Sequence, residues 1–470
     1  MLAAAGLTDL FGVHVDGHDA AALGLAGKPD PALFVEAARR LGVDPRRAVV
    51  VEDATAGVQA GRLGGFGLVI GVDRTGDPRA LHSAGADAVV TDLDQVTVVA
   101  PPAHEGWPAG ESEWHFGYEG FSPAEEGRRE ALQSLSNGVF ATRASAPEAT
   151  AGPVHYPGTY AAGLYNRLRS QVDGRESEHE SMVNLADWLP LSFRPDDGDW
   201  LDLTTMHVAD YRQDLDLCHG ILRRSFEVTD TRGRTTQVAE RRLVHMANLH
   251  LAALEWVITP QNWSGRLEVC SGIDGTVENR NVTDEAAHAA RHLTQVVTGA
   301  HETDTLWLTA RTTQSERHVA PTCRTRADDR RSSHWRVIED GDRIEQSVDI
   351  DVASGQRVRV EKIAALRTSL DHAIADVTTA ALSDLDDAAP MEELSASHGS
   401  AWEQLWQRAH LDLRSDDPEV SRTLNLHTFH VVQTLSPHIV DRDVGVPARG
   451  LTGEGYRGHV FWTSCSSSRT

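Results

Sequence analysis

Two groups of residues in the sequence have the types and spacing needed for chemistry, and the first lies near the N-terminus. Glu52 and Asp53 end the short apolar stretch "RAVVVED", and Lys28 stands in the turn "GKPDP". Ligands bind at the carboxyl ends of strands in parallel sheets. Carboxylate oxygens there can hold Mg²⁺, and an ammonium group can neutralise phosphate charge. These residues therefore fit either a site for Mg²⁺ and a phosphoryl group or a solvated loop beside a helix cap.

The second group lies in "ARGLTGEGYRGHVFW", close to the C-terminus. Four glycines let this backbone turn tightly. They are followed by three side chains with flat or hydrogen-bonding surfaces, His459, Phe461 and Trp462. Sugars bind to aromatic faces and to polar groups aimed at their hydroxyls. The stretch therefore predicts a sugar site, whereas a histidine considered alone would fit a structural role equally well.

Alternating helical and strand patterns position the first group within residues 1–100. "PALFVEAARRLG" and "ATAGVQAGRLGG" have helical spacing, while "RAVVVED", "FGLVIGV" and "ADAVVTDL" are typical of strands. Units this short favour a parallel sheet covered by helices.

The pattern changes after a Pro/Gly-rich linker at residues 101–112. Residues 113–385 alternate apolar and polar side chains in many short runs separated by turns, which indicates a large antiparallel β-sandwich. "TDEAAHAARHL" predicts one short inserted helix in this region. Two amphipathic helices are predicted next, and the apolar face of the first has a packing role: Leu394, Trp402, Leu405, Trp406 and Ala409.

The composition narrows the classes of partner. The formal net charge is −25, which disfavours nucleic acid and anionic membranes. No stretch has the length of a membrane span, and no secretory signal pattern opens the sequence. The four cysteines, at positions 218, 270, 323 and 465, are too far apart to form metal-ligand pairs. A cytoplasmic location is expected.

The stretch "GKPDPALFVEAARRLGVDPRRAVVVEDATAGVQAG" resembles the haloacid dehalogenase superfamily, most closely its β-phosphoglucomutase branch. The resemblance implies a partial Rossmann-like core in which Lys28 stabilises the phosphoryl group and Glu52 and Asp53 help to place Mg²⁺. The nucleophilic and acid/base aspartates of the family's "DxDG" loop have no counterpart here. "VDGHD" at residues 15–19 lies at the wrong place to replace them, so transfer through an aspartyl-phosphate is not expected, and Mg²⁺ binding is expected to be weakened. The resemblance also implies that half of the family's parallel sheet has no counterpart here, so we expect an unpaired strand edge and exposed apolar surface.

Residues 112–462 resemble glycoside hydrolase family 65, which holds maltose, trehalose and kojibiose phosphorylases. The matching segments are "WHFGYEGFSPAEEGRREALQSLSNGVFATRA", "HYPGTYAAGLYN", "NLADWLPLSF", "LAALEWVITPQNWSGRLEVCSGIDGTVENRN" and "GLTGEGYRGHVFW". The resemblance implies an N-terminal sandwich over 113–385, a linker helix over 386–420 and the start of an (α/α)₆ barrel over 421–462. It also implies that His459, Phe461 and Trp462 contact glucose and that inorganic phosphate is the co-substrate.

Together the two resemblances predict a fragment of a bifunctional protein. Its phosphorylase part would convert an α-linked glucose disaccharide to β-glucose 1-phosphate, which the mutase part would convert to glucose 6-phosphate. We expect the chain to be inactive, because the family's general-acid Glu and its phosphate site lie further along the barrel. The alternatives are a non-catalytic carbohydrate-binding or oligomerising sandwich and a residual phosphatase. The resemblance favours trehalose as the substrate and a homodimer as the assembly.

Residues 463–470, "TSCSSSRT", do not continue the pattern before them. Thr463 stands where the family has an aspartate after "FW". With GC-rich codons, one additional G after the Trp462 codon would make the tail read Asp-Glu-Leu-Phe-Val-Leu-Pro-Asp. We therefore interpret this tail as the product of a frameshift, a hypothesis that resequencing of the gene tests.

Overall fold

The structure, a computed structural model, consists of two compact units, Met1–Ala109 and Gly110–Thr470. It describes residues 13–15, 19–20, 23–41, 43, 45, 48–74, 76–96, 112–172, 174–281, 289–327, 335–411, 413, 417–442 and 444–460. Several features predicted above lie outside these residues: Phe461, Trp462, the tail 463–470, all but the last residue of the linker 101–112 and residues 283–288 of the predicted inserted helix. The described remainder of that segment, residues 289–293, contains no helix and leads into a strand, so the prediction of a helix is wrong there.

The first unit contains a small parallel sheet with helices between its strands. Its elements in chain order are α1 (Ala32–Leu41), β1 (Val49–Glu52), α2 (Thr55–Leu63), β2 (Leu68–Val72), α3 (Pro78–Ser83) and β3 (Ala88–Val90). The sheet order is β1-β2-β3, and both pairings are parallel. A core of Val50, Val58, Val69 and Leu81 lies between the sheet and the helices.

One strand of this sheet has an open edge in the described part of the chain. β1 pairs there with β2 alone. Its Val49 and Val51 are 55% and 45% exposed, although alternate residues of the same strand are more deeply buried. The prediction of exposed apolar surface is confirmed at this strand.

The second unit is built mainly of antiparallel strands. These are β4 (His115–Glu119), β5 (Leu135–Ser136), β6 (Phe140–Thr142), β7 (Thr159–Ala161), β8 (Tyr165–Val172), β9 (Arg175–Met182), β10 (Leu191–Pro195), β11 (His207–Asp216), β12 (Ile221–Thr229), β13 (Thr235–Val244), β14 (Leu251–Pro260), β15 (Gly265–Asp274), β16 (Leu293–His301), β17 (Thr305–Thr312), β18 (His318–Ala327), β19 (Arg336–Asp340), β20 (Arg343–Val352), β21 (Val358–Thr368) and β22 (Ala448–Leu451). Its helices are α4 (Glu126–Leu132), α5 (Val377–Asp386), α6 (Met391–Ala409) and α7 (Pro418–Thr434).

Two sheets enclose the main core of this unit. The larger has nine strands in the order β16-β17-β18-β21-β14-β13-β12-β11-β4, and the smaller has four in the order β10-β15-β20-β19. Alternation along the strands directs apolar residues of both sheets into one core, where Phe193 of the smaller sheet meets Trp256 of the larger edge-to-face at 6.2 Å. The large antiparallel sandwich predicted from the alternating pattern is confirmed.

Helix α5 lies inside the range that was predicted to be sandwich throughout. Asp376 caps it by accepting from the Thr379 N–H at 2.7 Å. Its buried Ala381 and Leu385 pack with Ile363 and other residues of the larger sheet. The sequence pattern did not indicate this helix because its apolar face is narrow, so the sheet that it covers decides its position.

Helices α6 and α7 pack through aromatic residues, as the amphipathic pattern predicts. Trp402 stacks on Phe429 with centroids 4.6 Å apart, and Trp406 meets Trp114 edge-to-face at 4.9 Å. The Trp406 indole N–H donates to the Leu217 carbonyl at 2.8 Å. Both helices are therefore fixed to the sandwich. Within the described residues, no helix is long and apolar enough to span a membrane.

Three buried histidines make the stability of this unit dependent on pH. Burial lowers the pKa of His245 and His292 to about 4 and that of His398 to about 3, from an ordinary value of 6.5. The ring of His398 is held in its neutral form because Nδ1 accepts from the Met246 N–H while Nε2 donates to the Gly220 carbonyl. Protonation of Nδ1 would place its N–H against the Met246 N–H, so two hydrogen-bond donors would face each other without an acceptor.

We therefore expect the melting temperature to fall between pH 7.5 and pH 5. Above the unfolded pKa of 6.5 these histidines are neutral in both the folded and the unfolded chain. Below it they are protonated in the unfolded chain but stay neutral in the folded chain, which favours unfolding. At pH 5 each histidine is expected to cost about 2 kcal/mol. Differential scanning calorimetry across this range is the measurement. His398→Gln should flatten the dependence, and an unchanged slope in that variant would contradict the assignment.

Candidate functional site

The predicted phosphoryl-site residues of the first unit lie at one end of β1 but do not all interact. Lys28 forms an ion pair with Glu52, and its ammonium lies 4.8 Å from the centre of the Phe34 ring. Burial lowers the pKa of Lys28, and the negative charge of Asp53 opposes this shift. The Asp53 carboxylate instead lies 3.5 Å from Arg74 and is more than half exposed.

Glu52 is held in a tight space that favours a structural role. A Cβ placed on Gly57, in the first turn of α2, would lie 2.2 Å from the Glu52 carboxyl carbon. Glycine at position 57 is therefore what allows this carboxylate to approach the start of the helix, where the helix dipole favours negative charge.

The described residues of this unit do not form a complete Mg²⁺ site. No group of three or more His, Cys, Asp or Glu side chains that could hold a metal ion occurs in the described part of the chain. Glu52 is paired with Lys28, which leaves Asp53 as the one solvent-facing carboxylate of the predicted pair. Mg²⁺ requires several oxygen ligands in octahedral geometry. The described carboxylates therefore do not fit this ion on their own.

The C-terminal stretch for which the sequence predicts a sugar site is, by contrast, anchored on the sandwich by a buried carboxylate. Glu454 is 3% exposed, and its Oε1 accepts hydrogen bonds from the hydroxyls of Tyr156 and Tyr160, both at 2.7 Å. Its Oε2 accepts from the Asn281 N–H at 3.1 Å. Burial raises the pKa of Glu454, while these hydrogen bonds oppose the rise. We call Glu454, Tyr156, Tyr160 and Asn281 the Glu454 network.

A buried guanidinium joins the same stretch to helix α4. Arg143 donates to the carbonyls of Thr452, Tyr156 and Gly127, each at 2.9 Å. Burying a guanidinium is costly unless its donors are paired, and here three carbonyls pair with them. Arg143 thus connects parts of the chain that are far apart in sequence.

The backbone of this stretch has a left-handed turn at residues other than glycine. Tyr456 and Arg457 have φ of 57°, and Gly458 follows with φ of 69°. A non-glycine residue in this conformation costs roughly 1–2 kcal/mol, and such strain persists where the surroundings impose it. The glycines alone therefore do not shape the turn. The Glu454 network holds Glu454, which lies two residues before Tyr456.

His459 is fixed against the β8–β9 hairpin. Its ring stacks on Tyr165, with centroids 5.4 Å apart and planes 5° from parallel, and its Nε2 lies 2.9 Å from the Glu180 carbonyl oxygen. The Tyr165 hydroxyl donates to the Gly458 carbonyl at 2.5 Å. Because the carbonyl can only accept, Nε2 carries the proton and Nδ1 is left as an acceptor. Phe461 and Trp462 lie outside the described residues.

Sequence reasoning singled out His459 but not the residues that position it. Tyr156, Tyr160 and Tyr165 all lie in "HYPGTYAAGLYN", and Glu454 lies in "GLTGEGY". A carboxylate between glycines and a segment with three tyrosines were visible signals. Their convergence was not visible, because about 290 residues separate the two segments.

The two-sheet sandwich and the anchored glycine-rich segment define a class of large β-sandwich proteins whose C-terminal helices pack on the sandwich. The family model for the N-terminal domain of glycosyl hydrolase family 65 matches residues 116–405, and the model for its central catalytic domain matches residues 425–465. The chain therefore belongs to glycosyl hydrolase family 65. The model for haloacid dehalogenase-like hydrolases matches residues 1–65.

Individual relatives agree with this assignment. The chain is 36% identical over 404 residues to an uncharacterized glycosyl hydrolase of Mycobacterium tuberculosis strain H37Rv, covering 85% of this chain and 30% of the relative. It is 28% identical to a kojibiose phosphorylase of Caldanaerobacter subterraneus (75% and 45% covered) and 26% identical to a trehalose 6-phosphate phosphorylase of Lactococcus lactis (75% and 44% covered). The chain thus spans less than half the length of each of these relatives.

A solved structure shows the same fold. A protein of the human microbiome, provisionally named a kojibiose phosphorylase, superposes with a TM-score of 0.66 at 17% identity, covering 75% of this chain and 45% of that one. At this level of identity the likeness establishes the fold.

Proposed function

We propose that the chain functions in the phosphorolysis of an α-linked glucose disaccharide and that residues 450–459 form one wall of the glucose subsite. The observation that carries this proposal is the Glu454 network, which fixes a strained, glycine-rich segment ending in His459. A rigid backbone turn beside a polar aromatic side chain suits a hydroxyl-rich ring. The relatives named kojibiose and trehalose 6-phosphate phosphorylase support this substrate class.

His459 is the residue we assign to direct sugar contact. With Nε2 donating to the Glu180 carbonyl, Nδ1 can accept a hydrogen bond from a glucose hydroxyl. Stacking on Tyr165 prevents the ring from turning away. A preorganised acceptor binds more tightly because little side-chain entropy is lost on binding.

The chemistry that we propose for the intact family is inverting phosphorolysis. One carboxylic acid protonates the glycosidic oxygen while inorganic phosphate attacks C1 from the opposite face, giving glucose and β-glucose 1-phosphate. Glu454 is unsuited to be this acid, because both its oxygens already accept hydrogen bonds from the protein. We therefore propose that this chain by itself binds the sugar without cleaving it.

For the first unit we propose binding of the product of that reaction, β-glucose 1-phosphate, without its isomerisation to glucose 6-phosphate, because no transfer through an aspartyl-phosphate is expected here. Lys28 would neutralise phosphoryl charge once it is released from Glu52. Asp53 would be the one ligand that the described residues offer to Mg²⁺, which is why we propose only weak binding of this ion.

Two measurements on the full chain test the proposal. Calorimetric titration with kojibiose, trehalose and maltose should show binding of at least one disaccharide, and a phosphate-dependent assay should show no glucose 1-phosphate above a protein-free blank. Absence of binding by all three would overturn the assigned subsite. Turnover of any of them would overturn the claim that the chain binds without cleaving.

We propose a homodimer as the assembly, on the resemblance to the family alone. Sedimentation velocity at several protein concentrations tests it. A mass of twice 51.1 kDa is the expected result, and a single species of 51.1 kDa at every concentration would refute the proposal.

A further inference from the structure

A cavity lies on the outer face of the four-stranded sheet. Its volume is about 1050 Å³, at the upper end of the range for ligand pockets. Alternate residues of three neighbouring strands line it, among them Ser192 of β10, Cys270 of β15 and Ser347 of β20, which are cross-strand neighbours. None of the residues 448–460 lines it. The cavity is therefore distinct from the glycine-rich segment, although Tyr156 borders both.

Buried residues that lie behind the lining hold the walls of this cavity in place. Loop 147–153 lines it, and Glu148 of this loop receives two hydrogen bonds, at 2.7 and 2.6 Å, from the buried Arg224. Beneath the sheet, the fully buried Lys362 donates to the carbonyls of Pro190 and Gly272, both at 2.8 Å. Both carbonyls belong to residues of the lining, so the cavity is formed before any ligand arrives.

The charges of the lining disfavour an anionic ligand. Six carboxylates and three guanidinium groups line the cavity. Arg194 is paired with Glu268 at 2.7 Å, and Arg343 is paired with Asp274 at 2.7 Å. Since the guanidinium groups are paired and the carboxylates outnumber them, a phosphate or sugar phosphate would meet net repulsion.

Two polar atoms of lining residues are buried without a hydrogen-bond partner in the described part of the chain. They are the hydroxyl oxygen of Ser192 and the Nε of Arg343. Leaving such groups unpaired costs about 1–3 kcal/mol each, so a small rotation of either side chain toward a hydroxyl group of a bound ligand would be favourable. Trp200, 37% exposed, adds an aromatic surface beside Arg194, whose guanidinium carbon lies 4.7 Å from the centre of its ring.

We propose that this cavity binds a neutral oligosaccharide at a site separate from the glucose subsite assigned above. A chain of sugar rings provides hydroxyls for Ser192 and Arg343 and apolar ring faces for Trp200. Burial raises the pKa of the Cys270 thiol to about 12, so the lining cysteine is not a nucleophile at neutral pH, which is consistent with binding rather than covalent chemistry.

The test is calorimetric titration of the full chain with maltotriose, a neutral α-linked glucose trisaccharide. We expect Ser192→Ala and Trp200→Ala each to weaken binding at least tenfold. Ser192→Ala is the sharper variant, because removing a hydroxyl that has no protein partner should leave the melting temperature unchanged or raise it. Val297→Ala is the matched control, since this side chain is 55% exposed and lies outside the cavity.

Three outcomes would overturn the proposal. The first is that maltotriose does not bind. The second is that both cavity variants still bind maltotriose, whereas Glu454→Ala does not. This result would place the trisaccharide at the glucose subsite and would leave the proposed function intact. The third is tighter binding of glucose 1-phosphate or spermidine than of maltotriose in the same cavity, which would show that the ligand is charged.

Discussion

Replacing Glu454 with alanine is expected to release residues 450–459 from the sandwich and to abolish disaccharide binding. The substitution leaves the buried Tyr160 hydroxyl and the Asn281 N–H without their acceptor. We expect the docked segment to lose about 3 kcal/mol of stabilisation. Hydrogen exchange of residues 448–460, followed by mass spectrometry, should then accelerate roughly 100-fold, while exchange in the sandwich strands stays unchanged.

Two variants make this result specific. Glu454→Gln keeps one oxygen for the tyrosines but turns an amide NH₂ toward the Asn281 N–H, so an intermediate effect is expected. Glu403→Ala removes an exposed carboxylate of α6 and should change neither exchange nor binding. Wild-type disaccharide affinity in Glu454→Ala would show that the Glu454 network does not position the sugar site.

Replacing Trp402 with alanine is expected to cause a large loss of stability in the sandwich unit. Trp402 is 1% exposed and stacks on Phe429, so its removal leaves a cavity between α6 and α7. Large-to-small changes of this kind cost about 3–5 kcal/mol. Thermal unfolding followed by far-UV circular dichroism should show the transition of the sandwich unit at a clearly lower temperature.

Conservative and exposed replacements serve as controls for this prediction. The indole N–H of Trp402 has no hydrogen-bond partner in the described residues, so Trp402→Phe removes an unsatisfied donor and should cost less than half as much. Trp200→Ala, at a partly exposed position, should change the melting temperature little. Equal losses in Trp402→Ala and Trp200→Ala would contradict the assigned role of Trp402 in packing.

The effects predicted for Glu454→Ala and Trp402→Ala are connected through helix α7 and the short strands beside it. Helix α7 is tied to the segment before β6, because Gln433 accepts from the Ser136 N–H at 2.8 Å and donates to the Ser134 carbonyl at 3.2 Å. Strands β5, β6 and β7 form one three-stranded sheet, in which Ser136 of β5 bonds helix α7 and Tyr160 of β7 bonds Glu454. We expect Trp402→Ala to weaken disaccharide binding as well, which the same calorimetric titration checks.

The sequence by itself determined the class of fold of the larger unit and the presence of the two amphipathic helices that follow the sandwich. Alternation with period two is a local property, so it predicted the sandwich correctly. The amphipathic spacing of Trp402 and Trp406 likewise predicted a packed helix, and Asp417 marked the start of the next one by accepting from the Glu419 N–H. Helix α5 escaped prediction because its sequence has no wide apolar stripe and its partner is a distant sheet.

Only the tertiary structure decided which polar residues meet. Glu52 and Asp53 are neighbours in sequence, yet one pairs with Lys28 and the other with Arg74. Glu454 and Tyr160 are separated by 294 positions, yet they share a buried hydrogen bond. The outer cavity likewise arises from the alignment of β10, β15 and β20. Hydrogen bonds and ion pairs depend on distances of a few ångströms, and the local spacing of residues does not fix such distances across a fold.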